Sequence, residues 1–122
     1  MNIEKGRGNG YINIFDTKGM LLRRFASRGA LNSPWGIVQA TTDFIAGGNA
    51  ILVGNFGDGH INVYGLDGEY LGHLNSTGGH AIEIDGLWAI ENNISGTDPK
   101  QLFFTAGPAE ESHGLFGYVQ KN

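Results

Sequence analysis

Asn32, Asn55, Asp58, His80, Asp85, Glu110 and His113 are the side chains best suited to ligand binding, and most lie in or beside glycine-rich stretches. Asn55 and Asp85 offer the hard oxygen donors that Ca2+ or another divalent cation prefers. His80 and His113 offer imidazoles able to hold a metal or move protons near neutral pH. Glu110 and Glu111 can join Asp85 as an acid–base group. Each has an ordinary role to set beside the chemical one. Asp and Asn flanked by glycine accept backbone amide hydrogen bonds in turns, and Asp58-Gly59 is the dipeptide a tight hairpin favours. The His80–His113 spacing matches no ligand motif, Glu110-Glu111 reads more readily as an exposed, solvated pair, and His60 and His73 fall within strand-like segments nearer the periphery. No catalytic residue is assigned, and the reading leans away from an enzyme.

Composition narrows the classes further. The absence of cysteine removes disulfides, thiolate ligands and cysteine nucleophiles together. No Gly-x-Ser-x-Gly elbow occurs, and Gly6-Arg7-Gly8 precedes a strand-like run instead of opening a helix, so neither a serine nucleophile nor a phosphate cradle is expected. A formal charge of -4 gives no electrostatic reason to bind nucleic acid. No apolar run approaches membrane-spanning length, and the first six residues lack the apolar stretch of a signal peptide, so no membrane insertion is expected and localisation is left open. A longer, exported parent protein is compatible with this.

The elements that would carry these residues follow from an internal repeat. Gly10-Tyr11-Ile12-Asn13-Ile14-Phe15 returns 49 residues later as Gly59-His60-Ile61-Asn62-Val63-Tyr64. Ser33-Pro34-Trp35-Gly36-Ile37 returns after 53 residues as Gly86-Leu87-Trp88-Ala89-Ile90, and Ile51-Leu52-Val53-Gly54 after 51 as Leu102-Phe103-Phe104-Thr105. Segment 114–119 reads as a third, weaker copy of the first. Each segment is short, rich in β-branched and aromatic residues, and bounded by Gly, Asn, Asp or Pro, which predicts strands. Four strands in a period of about 50 residues suggest a β-propeller blade. With the strands of a blade lettered A to D outward, the chain reads as one all-β domain over 1–122: a C-D pair ending near 25, a complete A-B-C-D blade over 35–74, and an A-B-C blade over 84–119. That is a partial propeller of about two blades.

Residues 10–74, with "NSPWGI" preceding "ILVGNFGDGHINVYGLDGEYLGHL", resemble NHL-type repeats. Taken with "IDGLWAI", "FFTAGP" and "SHGLFGYV", the chain is similar to the C-terminal part of an uncharacterised, mainly bacterial propeller family. That resemblance implies six blades, a parent about three times as long, and a fold instead of an activity.

In such a blade the B-to-C and D-to-A loops share one face, and the candidate residues above all fall there. The expectation is a non-catalytic interaction module that binds a protein, peptide or glycan through those loops. The alternative is a piece of a metal-dependent lactonase- or lyase-like enzyme with Asn55 and Asp85 at the cation. Unpaired inner and outer strands also suggest several copies closing a ring as a homo-oligomer.

Overall fold

The computed structural model describes residues 5–92, 94–108 and 114–121. They form nine strands in three antiparallel sheets: β1 (Tyr11–Phe15) with β2 (Leu21–Ser27); β3 (Pro34–Gln39), β4 (Ala50–Asn55), β5 (Ile61–Gly65) and β6 (Tyr70–His73); and β7 (Leu87–Glu91), β8 (Gln101–Ala106) and β9 (Leu115–Gln120). Within each sheet the strands follow chain order, each beside the next. This is the two, four and three grouping that the repeat predicts. Among the described residues no helix is long and apolar enough to cross a membrane.

Strand ends are set by carboxylates as much as by hydrophobic pattern. The Asp16 carboxylate accepts from the amides of Lys18 and Met20, so Met20 closes the turn and β2 begins at Leu21 instead of Met20. Asp67, at the matching turn of the next sheet, accepts from the Glu69 amide. Asp58 takes the His60 amide at 3.0 Å, and β5 starts one residue later than the repeat alone suggests.

The central strands of the middle sheet, β4 and β5, are covered on both faces. Ala50, Leu52 and Ile61 point to a core shared with Leu87, Ile90 and Leu102 of the third sheet, while Val53 and Tyr64 point the other way, to Phe25 and Leu31. A strand covered on both sides cannot alternate polar and apolar residues, which is why β4 reads as the unbroken run Ala-Ile-Leu-Val. The phenol of Tyr64 meets the ring of Phe25 edge-on at 5.9 Å, and burial pushes its pKa above the usual value.

The second and third sheets meet most closely through their first strands. A Cβ placed on Gly36 of β3 would lie 2.7 Å from the carbonyl oxygen of Trp88 and 2.8 Å from the amide nitrogen of Ile90, both on β7. Only glycine permits that approach. Elsewhere the sheets are tied by side chain to backbone: Arg23 donates to the carbonyls of Leu66 and Asp67, and the Thr41 hydroxyl donates to the carbonyl of Pro99.

Candidate functional site

Antiparallel pairing brings the 28–33, 56–60 and 74–86 connections to one end of the middle sheet, since Pro34 lies opposite Asn55, Gly54 opposite Ile61, and Asn62 opposite His73. Backbone hydrogen bonds then link the connections to one another at that end. The amide of Gly8 donates to Leu31, that of Phe56 to Ser33, that of Ile84 to Gly59, and that of Gly107 to Gly86. The result is a continuous rim of glycine-rich loops.

The asparagines build this rim. Asn55 is fully buried; its Oδ1 accepts from the Asn32 amide at 3.0 Å and its Nδ2 donates to the Ala30 carbonyl at 2.9 Å. Asn62 donates to the same carbonyl at 2.9 Å, and Asn32 in turn accepts the Gly6 amide at 2.8 Å. Both polar ends of Asn55 are therefore spent on backbone. Asp58 holds the turn into β5 through the His60 amide.

The histidine placed by the sequence as a strand residue turns out to be the best connected. The His60 ring faces Asp58 through Nδ1 at 3.5 Å and Glu83 through Nε2 at 3.2 Å, and it stacks on His73 with centroids 5.3 Å apart. The Tyr70 hydroxyl reaches His73 Nδ1 at 3.4 Å. The period-two pattern places His60 and Asn62 on one face, but only the pairing of Asn62 with His73 brings the two imidazoles together. Glu83 carries no local signal at all, because it reaches His60 across a long connection.

Asp85 lines a cleft of about 200 Å3 with Asp58, Glu83 and the glycines at 57, 59 and 86. Among the described residues no three His, Asp or Glu side chains converge as a metal-holding group. His80 sits on an exposed turn closed by the Ser76 amide on its own carbonyl, outside this cleft. Glu110, Glu111 and His113 lie outside the described residues.

A second, larger groove of about 840 Å3 opens between the first sheet and the start of β3, lined by Tyr11, Arg24, Ser27, Arg28, Ser33 and Trp35 among others. None of these was singled out as a ligand residue from the sequence. Trp35 and Trp88 hold equivalent places in the repeat, a pattern that points to packing between repeats, yet Trp35 is 46% exposed, with Phe56 beside it.

The chain is similar to three uncharacterized proteins of Acanthamoeba polyphaga mimivirus. One is 40% identical over 117 residues, which is 96% of this chain and 29% of the relative. A second is 37% identical over 115 residues, covering 94% of this chain and 30% of the relative, and a third 37% over 101 residues, covering 83% and 19%. The chain thus spans less than a third of the length of each. No family model matches it, and no solved structure does.

These findings overturn the resemblance to a mainly bacterial NHL-repeat family: the relatives are viral, and no NHL model matches. The quoted motifs are glycine-bounded strands with Asp-Gly turns. Any repeated antiparallel meander needs those residues at those places, so they report local geometry instead of descent.

Proposed function

We propose that the chain is a segment of a propeller-like repeat array and serves as a non-catalytic binding module, presenting its loop rim to a protein, peptide or glycan. The propeller reading is supported by three meander sheets repeating at about fifty residues and by the packing of β3 on β7, the first strands of two successive sheets. The same reading assigns the exposed outer faces of the two end sheets to a second copy of the chain.

One observation carries the binding role. The polar side chains of the rim, Asn32 and Asn55 above all, are committed to backbone groups in neighbouring loops. Such groups fix the shape of a surface and leave it to others to make contact, as a preformed binding site requires. Peptide and glycan arrays probed with the labelled chain test this: retention of a discrete set of ligands is expected. Failure to retain any member, or metal-dependent turnover of lactone substrates, would overturn it.

A further inference from the structure

The groove between the first sheet and β3 differs from its surroundings in charge, in exposed aromatic surface and in backbone conformation. Arg24 and Arg28 line it, and no Asp or Glu does, in a chain whose formal charge is -4. Among the described residues neither arginine makes an ion pair. Arg24 lies over the Tyr11 ring at 4.2 Å, and its Nε donates to Asn13, so the guanidinium plane is held while its terminal nitrogens have no partner among the described residues. Tyr11 and Trp35 stand 61% and 46% exposed.

The backbone singles out the same place. Arg28 and Ser33 are the two non-glycine residues with positive φ among the described residues, at 57° and 52°, and both line the groove. The repeat counterpart of Ser33 is Gly86, at φ 68°. The fold needs a left-handed residue there and is content with glycine; here a serine occupies the position despite its strain. Strained non-glycine residues of this kind cluster where a site is built.

Comparison between repeats separates framework from specialisation. Tyr11 and Arg24 fall where the next sheet has His60 and His73: Tyr11 and His60 each precede an asparagine by two residues, and Arg24 and His73 lie opposite those asparagines, Asn13 and Asn62. The corresponding cleft one sheet on is lined by Asp58, Glu83 and Asp85. Equivalent clefts of the framework thus carry arginines in one copy and carboxylates in the other, at different positions of the lining, so the framework does not impose the charge.

We infer that this groove binds an anionic sugar, a pyranose ring bearing a carboxylate, sulfate or phosphate. The inference rests on the binding-module reading and names its ligand class. An oxyanion is taken by the planar donors of Arg28 and Arg24, bidentate where a carboxylate meets one fork. The Tyr11 and Trp35 rings supply flat apolar surface for the ring, and Ser27 and Asn9, also on the lining, are hydrogen-bonding partners for its hydroxyls. An acidic peptide would instead pair along the edge of β1 that has no neighbouring strand among the described residues, and draw little on the two rings.

The test is an NMR titration of the whole chain with a glucuronic acid-terminated trisaccharide, its sulfated and neutral glucose counterparts, and a pentaglutamate peptide. Expected are shifts at the Tyr11 and Ser27 amides and the Trp35 indole, with the neutral sugar bound at least tenfold more weakly. Arg28→Ala and Arg24→Ala should each weaken the acidic sugars tenfold or more, and Arg28→Lys should restore part of the loss. Unchanged thermal midpoints would show that these exposed substitutions leave the fold intact. Whether carboxylate or sulfate binds more tightly identifies the source of the anion, and either order supports the groove. Equal binding of the neutral sugar, or tighter binding of pentaglutamate, overturns the ligand class. Shifts confined to the Asp58–Asp85 cleft overturn the groove while leaving the binding-module reading intact; array results with no partner at all would fail that reading instead.

Discussion

Asn55 is the residue on which the loop rim turns. Replacing it with Ala leaves the Asn32 amide without its acceptor and removes one of two donors to the Ala30 carbonyl. A buried group left unsatisfied costs about 1–3 kcal/mol, and the vacated volume adds to that, so Asn55→Ala is expected to lower stability by about 2–4 kcal/mol in chemical denaturation. A loss within a few tenths of a kcal/mol would show that Asn55 does not bracket the loops. Tyr64 makes a prediction with a sign that can be followed. Its folded-state pKa lies above the ordinary value of about 10, because burial disfavours the phenolate. As pH rises, the unfolded chain ionises first, so stability is complete below pH 10 and falls as pH climbs through the folded value. Tyr64→Phe should remove that alkaline step in thermal melts between neutral and strongly alkaline pH, and an unaltered alkaline slope would assign it to other groups. From the sequence, Asn55 reads first as a turn residue whose side chain bonds local backbone, and only second as a cation ligand. Its partners, Asn32 and Ala30, are more than twenty residues away, and long-range pairing carries no local signature.

At the scale of elements, the contact of β3 with β7 is the one most sensitive to a single methyl group. A Cβ on Gly36 would meet backbone atoms, which cannot rotate aside as a side chain would. Overpacking of this kind typically costs about 1–3 kcal/mol, so Gly36→Ala should destabilise the chain by about that much and Gly36→Val by more. The repeat counterpart, Ala89, is exposed and tolerates its methyl; Ala89→Val is the matched control, expected to change stability by less than about 0.5 kcal/mol. Equal effects at the two positions would mean the sheets do not converge at Gly36. The elements themselves were the legible part of this protein. Spacings of 49, 51 and 53 residues locate the strands because each copy must satisfy the same turns and the same pleat. What the repeat could not supply is contact between elements. It marks Trp35 as packing, since Trp88 occupies the same place in the next copy. Yet Trp88 packs against Gly107, whereas Trp35 meets Phe56 at that position and remains half-exposed on an open groove. The stacked imidazoles were missed for the same reason: His60 and His73 look peripheral until the register of β5 on β6 is known.

For the whole molecule, the question is what covers its two ends. Register equates Phe103, Phe116 and Tyr118 of the third sheet with Leu52, Ile61 and Val63 of the middle one. In the middle sheet those positions feed the core shared with the third sheet. In the third sheet they form an aromatic cluster facing outward, with Phe103 stacked on Phe116 at 5.6 Å and Phe116 67% exposed. At the opposite end, Phe15 and Leu22 of the first sheet are also exposed. Each end thus offers the kind of surface that the molecule buries between its own sheets, and contiguous apolar faces of this sort mark interaction sites. A head-to-tail contact between copies is heterologous, so it forms rings or longer chains instead of a two-fold dimer. The expectation is concentration-dependent association of the isolated chain in sedimentation velocity. Phe116→Asp should shift it towards monomer without lowering the thermal midpoint, because an exposed side chain contributes little to the folded chain's own core. A wild-type chain that stays monomeric across the accessible range would overturn the second-copy reading. Association that survives Phe116→Asp but is lost in Phe15→Asp would move the contact to the first sheet alone, which requires a self-complementary two-fold interface and rules out the ring.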